Sequence, residues 1–351
     1  MIMAWLVRFA LVRRSPYANL IWYESKILAR REVVNVLVTG GAGFIGSHVV
    51  DALLKAGHRV AVVDNLHTGK RSNVSAGAAF YEADIRDGAA LERIFIAEGI
   101  EAVCHQAALA NVRASMAHPM EYAAVNVLGS LTLLELARQH GCRKFVFATT
   151  GGAVYGEGGD PEEGRLPFSE TSWPQPKDNY GANKLSVEIH LNLYHQNYGL
   201  AYAALRYANI YGPRQNSKGE AGVVAIFADA MLNGAATRIS GDGKQTRDFT
   251  YVSDVARANL LALEGEAVGV FNIGGGAPTD INTVHGLLSS LTGYAQAPAY
   301  SPRPVGEVMH TYLAINKARV QLGWQPQVGL EEGLARTVEW FREVGRASGG
   351  W

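Results

Sequence analysis

The sequence predicts an α/β fold: a doubly wound parallel sheet followed by a smaller mixed α/β segment. Three observations carry this. From Val34 to Thr150, short β-branched runs alternate with amphipathic helical stretches, the pattern of strands joined by right-handed helical crossovers. The first run, 36–39, passes straight into Gly40-Gly41-Ala42-Gly43-Phe44-Ile45-Gly46, a glycine turn that opens a helix. Past residue 206 the chain grows richer in Gly, Pro and aromatic residues, as in Tyr211-Gly212-Pro213-Arg214-Gln215 and Ser301-Pro302-Arg303-Pro304.

In chain order, residues 1–32 come first and differ from the rest. Arg8, Arg13, Arg14, Lys26, Arg30 and Arg31 stand against Glu24 and Glu32. The apolar part of this stretch is too short to cross a bilayer and lacks a signal-peptide cleavage pattern. It is expected to be an appendage outside the fold, or an over-long start with Val33 or Val34 as the true first residue. Strands are then predicted at 34–39, 59–63, 78–81, 102–105 and 144–149. Helices are predicted at 44–56, 88–98, 121–140 and 180–198, the third carrying Val125, Leu128, Leu131, Leu134 and Leu136 near helical spacing. Segments 249–252 and 270–273 read as strands that return to the main sheet. The expected division is 33–206 for the nucleotide-binding domain and 207–351 for a substrate domain.

Composition narrows the function. Lys plus Arg equals Asp plus Glu at 32 each in 351 residues, so no global field draws the protein to nucleic acid or an anionic membrane. A small ligand is the expected partner. Cys104 and Cys142 lie in or beside predicted buried strands without metal or redox spacing, which suits a reducing cytoplasm. No metal site is predicted, since His190 and His195 are five apart and do not share a helix face.

The glycine turn is a phosphate cradle. Gly40 permits the tight turn, Gly43 a close approach to a pyrophosphate and Gly46 packing of helix on strand, while the helix N-terminus offers N–H groups to an anion. Asp64 ends the second strand about 20 residues downstream, where a carboxylate binds the ribose hydroxyls of a dinucleotide and repels a 2′-phosphate. NAD is therefore expected over NADP. Asp84 can accept from the adenine amino group or simply cap the helix that follows. His105-Gln106-Ala107-Ala108 closes the fourth strand with small residues at the edge where such sheets bind ligands. Tyr180 and Lys184 are four apart at the start of a helix, hence on one face. A phenol with an ordinary pKa near ~10 needs a shift of roughly 3 units, about 4 kcal/mol, to act as a base near neutrality, and a lysine together with a positive nicotinamide ring supplies it.

These residues resemble the extended short-chain dehydrogenase/reductase family, and within it the nucleotide-sugar epimerases of the UDP-glucose 4-epimerase type. The motifs are TGGAGFIGSH (39–48), DNLHTG (64–69), ADI (83–85), HQAA (105–108), NVLGS (126–130), TTGGAVYG (149–156), YGANK (180–184), LRYANIYGPRQ (205–215), GDGKQTRDFTYVSDVA (241–256), FNIGGG (271–276) and RPVGE (303–307). The resemblance implies a Rossmann-type domain. It carries Gly40, Gly43, Phe44, Ile45, Gly46, Asp64, Asn65, Asp84, Ile85, Ala107, Asn126, Tyr180, Lys184 and Tyr207 to NAD contacts. It carries Asn209, Arg247, Arg303 and Glu307 to the nucleoside diphosphate, which guanidinium groups can grip bidentately. The implied reaction is C4 epimerisation of a UDP-hexose through a 4-keto intermediate, with NAD retained between turnovers. A homodimer formed through the helices at 121–140 and 180–198 is also implied.

Two departures qualify the match. The usual catalytic Ser or Thr three residues before Val-Tyr-Gly is Gly151 here, so the hydroxyl is expected from Thr150, with Thr149 in reserve. RPVGE has one residue more than the usual form, which leaves the alignment of Arg303 open by one. Gly152-Ala153 stands where dehydratases and decarboxylases of the family carry carboxylates, so epimerisation is preferred. Thr311 falls where a bulky aromatic narrows the sugar pocket in some relatives, and leaves room for N-acetylated sugars. The alternatives are another nucleotide-sugar epimerase or reductase, such as one acting on UDP-glucuronate, and a non-catalytic nucleotide-binding relative.

Overall fold

The strands run in chain order as β1 (Asn35–Thr39), β2 (Arg59–Asp64), β3 (Ala79–Glu82), β4 (Ala102–His105), β5 (Lys144–Thr150), β6 (Ala201–Tyr207), β7 (Asn209–Tyr211), β8 (Arg238–Ser240), β9 (Thr246–Arg247), β10 (Phe249–Tyr251), β11 (Gly269–Ile273), β12 (Thr279–Asp280) and β13 (Ala299–Ser301). The computed structural model describes residues 32–157, 165–218, 222–303 and 308–347. Seven strands form one parallel sheet in the order β11-β6-β5-β4-β1-β2-β3. The order reverses between β1 and β4, and an open parallel sheet binds its ligand at the carboxyl ends of the strands flanking such a reversal. Thr39, the last residue of β1, sits between Val63 of β2 and His105 of β4 at this point.

Period-two alternation sorts the side chains of β1 into two apolar layers. Val36 and Val38 join Val49, Val50 and Leu53 of α1 (Phe44–Lys55) on one face, with Val255, Ala258 and Ala262 from the helix Val252–Glu264. Leu37 points the other way, to Leu91, Ile94 and Phe95 of α2 (Gly88–Glu98), and to Leu133, Leu134, Val187 and Leu191. Each large apolar side chain so buried contributes about 1.5–3 kcal/mol. A third cluster joins Val224, Phe227 and Met231 to Val284, Leu288, Leu334 and Val338 in the second half of the chain.

The five strands expected in the first half appear, with ends shifted by a residue at most. The helix expected at 121–140 is instead divided into Pro119–Ala123, a widened π turn Ala124–Gly129, and Ser130–Gln139. Side-chain hydrogen bonds hold the wide turn: Asn126 accepts from Leu109 N at 2.9 Å and donates to Leu109 O at 2.9 Å, and Ser130 Oγ donates to Asn126 O at 2.6 Å. Of the two returning strands expected, β11 joins the main sheet beside β6, whereas β10 pairs with β7 in a separate two-stranded ribbon.

Candidate active site

The glycine turn has the geometry of a cradle that only glycine can make. Gly40 has φ +69°, and a Cβ there would lie 2.7 Å from Ala107 N; a Cβ at Gly46 would lie 2.1 Å from Gly40 O. The backbone thus turns tightly, and α1 begins at Phe44 after Gly43, with no side chain capping it. Its first turn borders a cleft whose wall includes Gly40, Gly43, Phe44, Ile45 and Gly46. Asp64 is on the same wall, its carboxylate fixed by N–H donors from Ala42 at 3.0 Å and Leu66 at 2.8 Å. Asn65, Asp84, Ile85, Ala107, Tyr180, Lys184 and Tyr207 also line the cleft. Arg86 grips Asp84 through Nε and Nη2, each at 2.8 Å, and Asn65 Nδ2 donates at 3.1 Å. The Arg86 hydrogen bonds hold the Asp84 carboxyl well below the usual carboxylate range. The helix cap after this strand is Asp87, which accepts from Ala90 N at 3.0 Å. An uncapped helix N-terminus behind a glycine-rich turn, with a fixed carboxylate at the end of β2, fits the pyrophosphate and ribose of NAD.

Asn126 is not on the cleft wall. It is 2% exposed, and its amide is taken up by Leu109. Its backbone instead anchors a buried chain of hydrogen bonds whose direction can be assigned. Because Ser130 donates to Asn126 O, its oxygen accepts from His105 Nε2–H at 2.8 Å; His105 Nδ1 then accepts from Thr39 Oγ1 at 2.6 Å, and Thr39 accepts from Ala107 N at 3.3 Å. Burial, and then the charge of Lys184, hold the imidazole well below its ordinary pKa. His105 is therefore a neutral tie between β1, β4 and the π turn.

Asp178 starts the helix Asn179–Tyr198 by accepting from Gly181 N at 2.7 Å. A Cβ at Gly181 would lie 2.5 Å from Ala153 O, so this helix starts directly against the short helix Gly151–Tyr155. Lys184 Nζ donates to Ala148 O at 2.8 Å and lies 5.9 Å from the centroid of the Tyr180 ring. Burial draws Lys184 down to about 7, opposed by Glu188. Burial, and then Asp178, push Tyr180 above the ordinary phenol range. The polypeptide by itself therefore does not make the phenol a base. Tyr207 donates to Gln106 Oε1 at 3.2 Å and accepts from Asn259 Nδ2 at 2.7 Å, which fixes its ring at the far wall.

The two threonines differ. Thr149 is on the cleft wall, but its hydroxyl donates to Glu188 Oε1 at 2.8 Å. Thr150 is not on that wall; its oxygen accepts from Ala153 N at 3.3 Å and caps the short helix. At Gly151 a Cβ would lie 2.8 Å from both methyl carbons of Leu313, so that leucine fills the place of a side chain there.

The residues assigned to the nucleoside diphosphate lie outside this cleft wall. Asn209 is exposed at the start of β7, its N–H donating to Asp248 O at 2.8 Å. Arg247 Nη1 donates to Thr246 O at 2.9 Å and Met309 O at 3.3 Å. Arg303 is exposed and touches the Met309 sulfur, Thr311 is buried, and Glu307 lies outside the described residues. Arg247 and Asp248 do not form a surface ion pair. Asp248 is buried and accepts from Gly275 N at 2.5 Å, Leu313 N at 3.1 Å and Gly276 N at 3.3 Å. The cofactor contacts assigned from the resemblance leave out His67, Thr68 and Gln106, which lie within its motifs, and Arg86 and Glu121, all of which also line the cleft. They leave out too the buried pair of Glu188 and Arg206. A lone cation in the apolar run 201–207 and a carboxylate four residues after Lys184 were the visible signals for that pair.

Residues 36–274 match the model of the NAD dependent epimerase/dehydratase family. The UDP-glucose 4-epimerase of Thermotoga maritima, solved with UDP-glucose, is 50% identical with TM-score 0.85, covering 88% of this chain and 99% of that one. The Thermus thermophilus UDP-glucose 4-epimerase in complex with NAD is 44% identical with TM-score 0.82, over 88% and 99% of the two chains. The UDP-N-acetylglucosamine 4-epimerase of Methanobrevibacter ruminantium, in complex with UDP-N-acetylmuramic acid, is 36% identical with TM-score 0.84, over 89% and 99%.

Proposed function

The chain belongs to the NAD dependent epimerase/dehydratase family, and from that premise we propose that it inverts C4 of a UDP-hexose, with UDP-glucose and UDP-galactose as the core pair. The observation that carries this is the joining of three features in one cleft: the glycine cradle, Asp64, and the Tyr180–Lys184 pair. Gly152-Ala153 precedes Val154-Tyr155 and brings no carboxylate for elimination or decarboxylation.

In this reading the cradle and Asp64 hold NAD, which when bound supplies the hydride acceptor and a positive charge beside Tyr180. Tyr180 Oη takes the proton of the C4 hydroxyl and later returns it. Lys184 holds the phenolate form through its charge, and Thr150 gives the hydroxyl that steadies the C4 oxygen. Asn209, Arg247, Arg303 and Glu307 bind the UDP portion, so that the substrate side comes from residues 207–351, while Val252–Glu264 and β11 of that stretch rejoin the cofactor side formed by 33–206. A Thr at 311 in place of an aromatic leaves space for an N-acetyl group, which supports activity on UDP-N-acetylhexosamines as well.

Two copies pair in the cytoplasm through the face formed by the π turn, Ser130–Gln139 and Asn179–Tyr198. Exposed Leu128, Leu193 and Tyr198 border a groove there with Leu131 and Tyr194, and two buried free thiols suit a reducing compartment. Light scattering of Leu193→Glu is expected to give monomers where the wild type gives dimers. The defining experiment incubates purified protein, with no added cofactor, with UDP-galactose, UDP-N-acetylgalactosamine or UDP-glucuronate and separates the products. A C4 epimer formed by the wild type and lost in Tyr180→Phe supports the reading. Conversion of UDP-glucuronate alone replaces the substrate, and no conversion even with NAD supplied overturns the enzyme assignment.

A further inference from the structure

Tyr180, Lys184 and Glu188 are spaced four apart on one helix, so all three share a face. The first two reach the cleft, and the third is buried behind them. Arg206, from β6, donates to Glu188 through Nη2 at 2.5 Å and through Nε at 3.1 and 3.2 Å, and Thr149, from β5, donates to Oε1 at 2.8 Å. Two strands and a helix therefore converge on one carboxylate. The Arg206 guanidinium also lies over the Tyr155 ring at 4.7 Å, which limits how far the pair can shift.

We propose that Glu188 is a positioning residue for the reaction: a carboxylate held by Arg206 and Thr149 one helical turn from Lys184, which keeps the lysine charged beside Tyr180.

Among the described residues, Glu188 is the anion whose charge acts on Lys184, while Asp178 acts on Tyr180 instead. Its ammonium lies 4.6 Å from the Phe147 ring and donates to Ala148 O. From β4 it meets His105, which the Thr39 and Ser130 hydrogen bonds keep neutral. From its own helix come Tyr180 and Glu188, and Tyr207 and Glu121 line the same cleft; Arg206 of β6 meets Glu188 and the Tyr155 ring. Buried ammonium groups without a partner give up their proton. Burial lowers Lys184, and Glu188 is the group that raises it. Arg206 keeps the carboxylate from being itself an uncompensated buried charge. Thr149 contributes by binding that carboxylate, which is why a hydroxyl on the cleft wall is not available to the sugar.

This deepens the epimerase reading and rests on it, but its test needs no sugar. Protein labelled with 15N-lysine and carrying its retained NAD is titrated by NMR, and the Lys184 Nζ signal is assigned by its loss in Lys184→Arg. In Glu188→Gln the midpoint is expected to fall by about one pH unit or more, and the basic limb of the kcat profile on the substrate found above moves down with it. If Glu188→Gln does not fold, Glu188→Gln/Arg206→Gln removes both charges and leaves no buried unpaired ion, and a smaller fall in the same direction is expected, because a neighbouring cation is lost as well. A Lys184 midpoint unchanged in either folded variant overturns the proposal, whether or not the protein turns over UDP-sugars. A Lys184 midpoint that falls as expected in the variant, with a wild type that converts no nucleotide sugar, would leave Glu188 in place and overturn the substrate assignment.

Discussion

Gly151 and Leu313 form a contact whose energy can be isolated. A serine at 151 restores the hydroxyl position usual in the family, but its Cβ would meet both Leu313 methyl carbons at 2.8 Å. Carbon atoms pack best at about 3.5–4.0 Å, so about 1 Å of retreat is needed. Leu313 has little freedom to give it: it is 1% exposed, its N–H donates to Asp248, and Ala314 N donates to Phe168 O at 2.8 Å. Gly151→Ser is therefore expected to cost about 1–3 kcal/mol by overpacking. Leu313→Ala opens a void and costs about 2.7–5 kcal/mol. In the double variant the serine enters that void, and the total falls short of the sum by about 1–3 kcal/mol. Urea unfolding at fixed excess NAD, with equal slopes across the four proteins, measures the cycle. Additivity to within about 0.5 kcal/mol would refute the argument that Leu313 occupies the side-chain space of residue 151.

Gly46→Ala places a Cβ 2.1 Å from Gly40 O, a backbone atom that cannot step aside; the purified variant should carry little NAD by acid release, and wild-type content would contradict the cradle. Thr150→Val should lower kcat by about 10²–10³, with the loss of its helix cap costing about 1 kcal/mol of stability. Thr149→Val, which removes a hydrogen bond to a carboxylate, should instead lower stability by about 1.5–3 kcal/mol; a larger loss of kcat here than in Thr150→Val would reverse the assignment of the two hydroxyls. Burial pushes Asp248 up to about 6 against three backbone N–H donors. Between the ordinary carboxylate pKa of 3.8 and about 6 the native state holds a proton that the unfolded chain releases, so this group makes stability fall as pH rises through that window. Subtracting the urea midpoints of Asp248→Asn from those of wild type across this range should reveal that slope, and parallel curves would show that Asp248 does not titrate there.

The sheet was legible because its signals are local: β-branched runs and helical spacing need no knowledge of distant residues. The cradle was equally legible, since three glycines and one acid state a backbone requirement directly. The π turn was not. Asn126 and Ser130 fit an ordinary helix, and only the presence of Leu109 and His105 across the fold makes their side chains hold the turn open. The same limit applies to Asn126 as a cofactor contact, because its motif marks the position but not where its amide is committed. The threonines show it again. Thr149 and Thr150 are adjacent and alike in sequence, and what separates them is a carboxylate thirty-nine residues away. The spacing of Tyr180, Lys184 and Glu188 was in view from the start, but the meaning of the third residue depends on Arg206 from a different element.

The seventh strand has a consequence for synthesis. A chain emerging from the ribosome completes β6 at Tyr207, yet the strand that covers its outer edge is made only at Gly269–Ile273. The core layer holding Val36 and Val38 also waits for Trp324, which is fully buried there and donates from Nε1 to Asp254 O at 2.8 Å. A nascent chain of two hundred residues thus presents an open strand edge and an uncovered apolar layer, the surfaces through which incomplete chains associate. Folding of the cofactor half is therefore tied to translation of nearly the whole chain, and a release at the end of β6 would yield a fragment without a finished sheet.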